Sequence, residues 1–206
     1  MEKGYLSIVL HAHLPFIREP QYDDFLEERW FFEAITDTYI PLLVMYEKLI
    51  DEGVPFAITM DISPSLCAMM EDELLLQRFD RHLNKMIELC EKELERTRFV
   101  PEFNRVAHMY YEKFTRSKRL FNERWNRNLL AAFKDVMDKG FLEIITCGAT
   151  HGFLPLLNVQ EESVRAQIRV GAESYRRIFG KNPPGIWLPE CAYYENVDRF
   201  LKDEGI

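Results

Sequence analysis

The chain of 206 residues lacks any long apolar run, and the short one before His11 falls far below the roughly 20 residues a membrane helix needs. It is also too short for a secretory leader, so a cytoplasmic protein without a membrane partner is expected. Paired cysteines are missing too. Cys67, Cys90, Cys147 and Cys191 stand far apart without a CxxC pair, which argues against a disulfide frame and for reduced core thiols. Cys147 and His151 together supply only two possible ligands, too few for a metal site. A basic surplus is absent as well: the net charge is -8, and acids interrupt every Lys/Arg cluster, which excludes a phosphate-binding face and a nucleic-acid partner. Asn and Gln are few beside Glu, Lys and Arg, a balance that leans toward heat adaptation. What remains is an ordinary globular composition, 47% hydrophobic and 29% charged, long enough for one well-buried core.

Along the chain, short apolar runs alternate with helical periodicity, the signature of strand-helix repeats and a parallel sheet. The first strand is expected over 6–13, ending in His11-Ala12-His13-Leu14-Pro15-Phe16. A polar, acidic loop holding Trp30 should follow, then a helix over 38–52 with Pro41 in its first turn and Gly53 ending it. A second strand is expected over 55–61. From 64 to 140 the periodicity is helical, longer than one crossover needs, and reads as a helical insertion. Leu75, Leu76, Phe79, Leu83, Met86, Ile87, Cys90 and Leu94 make one apolar stripe. Tyr110, Phe114, Phe121, Trp125, Leu129, Phe133 and Met137 make a second, read as core rather than as a ligand-stacking surface. A third strand over 141–147 leads into Gly148-Ala149-Thr150-His151-Gly152, whose glycines allow close backbone approach. Asn158 is placed to cap the next helix, which Val164, Ile168, Tyr175 and Phe179 anchor until Gly180. A fourth strand over 185–188 ends at Pro189-Glu190, and a short helix over 196–204 follows.

Each strand thus ends in groups able to do chemistry: His11 and His13, then Asp61, then His151, then Glu190. In a strand-helix repeat these carboxyl ends share one face, so the five side chains converge. Taken singly, each has a plainer explanation, Glu190 as a first-turn acid favoured by a helix dipole and Trp187 as core. As a set they point to a site. Two chemistries can use it. Glu190 could attack an anomeric carbon, with Trp187 and Tyr193 beside the sugar and the histidines bonding its hydroxyls. Alternatively, His11 and His13 could hold a divalent metal with His151 or Asp61, as in a metal-dependent deacetylase or amidohydrolase.

Three segments together, His11-Ala12-His13-Leu14-Pro15-Phe16, Cys147-Gly148-Ala149-Thr150-His151-Gly152-Phe153-Leu154-Pro155 and Trp187-Leu188-Pro189-Glu190-Cys191-Ala192-Tyr193, resemble glycoside hydrolase family 57 in order and spacing. The loop around His151 is most similar to the α-1,4-glucan branching enzyme type, with a family α-amylase as the nearest rival. The resemblance implies an α/β fold, a distorted TIM-like (β/α)7 barrel of which this chain supplies about the first four strands, with the helical insertion inside the single domain of 1–206. It also implies a retaining enzyme without a cofactor or metal, acting on α-1,4-glucan. Glu190 would form a covalent glycosyl-enzyme, His11, His13 and His151 would line the glucose subsite with Trp187 and Tyr193, and Asp61 converges on the same subsite by its place at a strand end. In a branching reaction a sugar 6-hydroxyl intercepts the intermediate; in hydrolysis water does.

The match departs from the family in three respects: four strands are read where seven are expected, the family's C-terminal helical domain is not represented, and the second catalytic carboxyl group is not found. Retaining chemistry needs a second carboxyl group roughly 5 to 5.5 Å from the first, and the family's acid comes from a later motif than any present. Asp61, Asp198 and Asp203 are not promoted to that role. The chain is therefore expected to be the N-terminal part of a longer enzyme, to show little glycosidase turnover by itself, and to expose open sheet edges that favour self-association.

Overall fold

The computed structural model describes residues 4–206; the expected domain begins at residues 1–3, which lie outside the described residues. Two compact units emerge. One gathers residues up to 16, 49–69 and 133–206, and the other 17–48 and 70–132.

The first unit is built on four parallel strands, β1 (Val9–Ala12), β2 (Ile58–Ile62), β3 (Leu142–Cys147) and β4 (Ile186–Trp187), lying side by side in chain order. This is the arrangement expected for the first four strands of a (β/α)7 barrel. β2 and β3 are rich in Ile and Thr, whose branched side chains suit a sheet covered on both faces. The register sets His11 beside Asp61, Asp61 beside Ile145 and Cys147 beside Trp187, so the polar strand ends line up across the sheet. β1 is an edge strand, and Tyr5, Leu6, Ile8 and Val9 before and within it are exposed.

The helices, in chain order, are α1 (Glu28–Ala34), α2 (Ile40–Asp51), α3 (Pro64–Glu71), α4 (Glu73–Arg96), α5 (Pro101–Arg119), α6 (Leu129–Asp138), α7 (Leu154–Leu157), α8 (Glu161–Phe179) and α9 (Asp198–Asp203). α8 and α9 bury Leu154, Val164, Ile168, Val197 and Phe200 in one apolar cluster of the first unit. α8 ends as expected at Gly180, where φ is 75°.

Several expectations change. Trp30 lies not in a loop but in α1, and a π-helical segment, Ile35–Tyr39, joins α1 to α2 without a break. Pro41 therefore sits inside a continuous helical run. Its ring would crowd the carbonyl four residues back in a regular α-helix, and the wider π turn just before it relieves that clash. The second expected stripe is not one helix: a π segment, Leu120–Arg124, and positive-φ residues Asn126 and Arg127 divide α5 from α6. Phe121, Trp125, Leu129, Phe133 and Met137 are core, but Tyr110 is 42% exposed. The first stripe is as expected, on α4, although Met86, Ile87 and Leu94 are only partly buried. Asn158 closes α7, an unexpected short helix, by donating its backbone N–H to the Leu154 carbonyl instead of capping α8; the cap position of α8 is Gln160. Among the cysteines, Cys67, Cys90 and Cys147 are buried, whereas Cys191 is exposed, since a left-handed turn lifts it off the strand.

In the second unit, α4 is started by Asp72, whose carboxylate accepts from the Leu75 backbone N–H at 3.0 Å and from Arg18 Nε at 2.6 Å. Buried Arg78 donates to Glu28 Oε1 at 2.6 Å and to the carbonyls of Glu19 and Tyr22, tying the acidic stretch 19–28 to α4.

Candidate active site

All the expected site residues belong to the first unit. β1 carries His11 and, just beyond its end, His13; the two rings lie 5.9 Å apart on the same side of the strand. β2 brings Asp61 against His11, with 2.6 Å between the carboxylate and Nδ1. Asp61 is wholly buried, so its carboxylate meets the site through the imidazole and not at the open surface.

The loop after β3 delivers His151 with φ of 57°. Its N–H donates to the Gly148 carbonyl at 3.1 Å, which turns the backbone sharply back. The ring stacks on His13 with centroids 3.7 Å apart, and its Nε2 lies 3.1 Å from His11 Nε2. At the end of β4, Trp187 stacks on His11 at 5.5 Å. The turn Pro189–Cys191 then holds Glu190 at φ 57° and ψ 25°. This left-handed backbone is rare for a residue other than glycine and presents the carboxylate to solvent, 70% exposed and 3.8 Å from His151 Nδ1. Tyr193 follows close behind and is exposed.

Burial and repulsion between neighbouring imidazoles favour the uncharged forms of His13 and His151. His13 is pushed down to about 4, chiefly by burial and then by His151 and His11. His151 is also lowered, by burial first and His11 second, with Glu190 opposing. Asp61 moves the other way, up to about 6, because burial outweighs the hydrogen bond from His11. Burial, with Asp61 adding to it, raises Cys147 to about 12, so that thiol is inert at neutral pH. In the His11–His151 contact one nitrogen must carry the proton and the other the lone pair. Asp61, His11, His151 and Glu190 thus form one chain of neighbouring groups.

Two members went unread in the sequence. Ser63 Oγ lies 2.9 Å from His13 Nδ1, and Ser65 Oγ lies 3.2 Å from Ser63 Oγ and donates to the Leu14 carbonyl. Ser63 stands two residues after Asp61, so the period of a strand places both on one side, the available signal. As to metals, stacked His13 and His151 present ring faces and not lone pairs to each other, and among the described residues no three His, Cys, Asp or Glu side chains are grouped to hold one ion. No described helix is long and apolar enough to cross a membrane.

Comparison with known proteins places this geometry. The model of Glycosyl hydrolase family 57 matches residues 7–206. A 1,4-alpha-glucan branching enzyme of Thermococcus kodakarensis is 39% identical over 219 residues, covering 99% of this chain and 32% of its own. Among solved structures, the alpha-amylase AmyC of Thermotoga maritima superposes with a TM-score of 0.94 at 44% identity, covering all of this chain and 39% of that one. A branching enzyme of Pyrococcus horikoshii gives 0.92 at 34% identity, covering all of this chain and 41% of that one. The chain thus spans about a third of the curated relative's length.

Proposed function

The chain belongs to glycoside hydrolase family 57, and from that premise we propose that its strand-end cluster is the sugar-binding half of a retaining α-glucan site in which Glu190 becomes glycosylated. The observation that carries this reading is the exposed Glu190 carboxylate, held on a left-handed turn beside His151 and the Trp187–His11–His13 stack. Glu190 attacks the anomeric carbon of an α-1,4-linked glucose unit. The C1–O bond to the leaving sugar breaks as the C1–Oε bond forms, and a second carboxyl group protonates the leaving oxygen. His11, His13 and His151, neutral or hydrogen-bonded to buried groups, supply donors and acceptors to sugar hydroxyls, and Asp61 acts by holding His11. Trp187 and Tyr193 offer apolar faces to the ring.

The relatives support two readings of the acceptor. The likeness to the branching enzyme of T. kodakarensis supports the first reading, transfer to a sugar 6-hydroxyl as in a branching enzyme. Hydrolysis is the second reading, favoured by the 44% identity to the amylase AmyC. New α-1,6 branch points on amylose would support the first and shortened linear chains the second.

The nucleophile is tested directly with an α-glucosyl fluoride, whose fluoride leaves with little need for an acid. Intact mass spectrometry should show one added glucosyl unit on the wild type and none on Glu190→Gln. An adduct on both variants would remove Glu190 from the role. Stoichiometric zinc in the purified protein, with function lost on chelation, would return the deacetylase reading.

A further inference from the structure

The loop that carries His151 is held from one side by a single side chain of α8. Gln167 Oε1 accepts from the Thr150 backbone N–H at 2.9 Å, and Gln167 Nε2 donates to Thr150 Oγ1 at 2.7 Å. The backbone donor fixes which end of the amide is oxygen, so the pairing has one orientation. The Gln167 main-chain carbonyl also accepts from the Ala149 N–H at 3.0 Å. Such close approach of loop backbone to helix is possible because Gly171, one turn along α8 on the same face, has no side chain. A Cβ there would stand 2.3 Å from the Cys147 carbonyl oxygen. The same loop touches the other catalytic turn, since a Cβ on Gly148 would lie 3.2 Å from Pro189 Cγ and 3.3 Å from Gln167 Oε1. Gly148 therefore lies close to both Gln167 and Pro189, and Pro189 directly precedes Glu190.

We propose that Gln167 is a positioning residue for the glycosylation site: its amide clamps Thr150 at two points, holds His151 in its left-handed conformation against His11 and His13, and keeps the loop seated on the turn that carries Glu190. The inference rests on the reading of Glu190 as the glycosylated residue. His151 occupies a backbone conformation that costs free energy, and only surrounding contacts make it persist. The Thr150 N–H, directly before His151 in the chain, has no partner in a regular element. Without Gln167 the loop loses two of its bonds to α8, and the imidazole is free to leave the stack.

The test uses the full chain in three forms, wild type, Gln167→Leu and Gln167→Glu. Leucine fills similar space but cannot bond Thr150. Glutamate keeps two oxygens, one to accept from the Thr150 N–H and one from its hydroxyl. Three quantities are read: the rate of glucosyl-fluoride labelling, the imidazole 15N signals of His151, and the thermal midpoint. In Gln167→Leu labelling should slow about tenfold to a hundredfold, the range a misplacement of about an ångström produces. Its His151 signals should shift and broaden while the thermal midpoint stays near that of the wild type. Gln167→Glu should recover most of the labelling rate and the His151 signals. Unmoved His151 signals in Gln167→Leu, or a loss of labelling matched by a collapse of the thermal midpoint and not recovered by glutamate, would overturn the clamp. An unlabelled wild type would instead remove the glycosylation reading, and the His151 signals would still decide whether Gln167 positions the imidazole.

Discussion

The two units of this molecule achieve order by different means. In the helical unit, the periodic apolar stripe of α4, surface ion pairs and one buried pair do the work; its positive-φ residues, Asn126 and Arg127, serve a connector. In the sheet unit, His151, Glu190 and Cys191 are held in left-handed backbone, His13 and His151 are stacked with burial favouring their uncharged forms, and the buried Asp61 carboxylate leans on His11. The contrast separates structure that any well-patterned sequence could form from structure that needs particular residues. Left-handed backbone in the sheet unit gathers where chemistry is expected, whereas the protonation shifts of the helical unit, at Tyr46, His82 and Cys90, come chiefly from burial.

Four measurements sharpen or break that contrast. The largest effect is expected for Arg78→Ala, which leaves Glu28 buried without its partner and should cost about 3 to 5 kcal/mol in denaturant unfolding. Replacing both members by apolar residues, Arg78→Met with Glu28→Leu, should recover most of it. Full recovery would show that the helical unit needs only volume and pattern; no recovery would show that the carbonyls of Glu19 and Tyr22 depend on the guanidinium.

Gly171→Ala adds a single methyl in the sheet unit and should cost about 3 kcal/mol, because its Cβ meets backbone and not a yielding side chain. A variant as stable as the wild type would mean that α8 slides away easily. The loop's close approach would then be incidental.

The third expectation is a pH dependence. Asp61 is raised from 3.8 to about 6, so the fold prefers it protonated. That preference stabilises fully below 3.8 and is lost as pH rises through about 6. Asp61→Asn lacks this loss. The wild type should therefore fall behind Asp61→Asn by up to about 3 kcal/mol between pH 4 and pH 7, seen as diverging thermal midpoints. His13, lowered from 6.5 to about 4, works in the opposite direction and favours the fold above 6.5, losing that contribution as pH falls through 4. Parallel midpoints for the two proteins would show that His11 neutralises Asp61 completely.

The smallest effect belongs to Asp72→Ala, which removes the cap of α4 and should lower stability by about 1 kcal/mol. Asp72→Asn, which still accepts from the Leu75 N–H, should recover most of this loss and leave only the exposed pair with Arg18 broken.

Much of this was legible without coordinates. Strand positions followed from short Ile- and Thr-rich runs, and helix stops from Gly53, Gly140 and Gly180, because these signals are local. The convergence of His11, His13, His151 and Glu190 followed from topology alone, since parallel strands put their carboxyl ends on one face. The π segments, the division between α5 and α6, the short α7 and the exposure of Tyr110 and Cys191 were not legible. Each depends on how the backbone resolves a crowding that a hydrophobic pattern does not record. Ser63 and Gln167 were missed for a related reason: Ser63 offered only its spacing from Asp61, and Gln167, a polar residue within a helix, acquires meaning only from what it touches.

The sequence by itself determined the kind of residue at each strand end, the order of the four strands and the membership in family 57, because these are properties of pattern and motif along one dimension. Only the tertiary structure decided that Asp61 lies behind His11 instead of at the surface, that His13 and His151 stack uncharged, and that Glu190 stands out on a left-handed turn. Those facts depend on distances between residues 39 or more positions apart in the chain, and charge and burial are set by such distances.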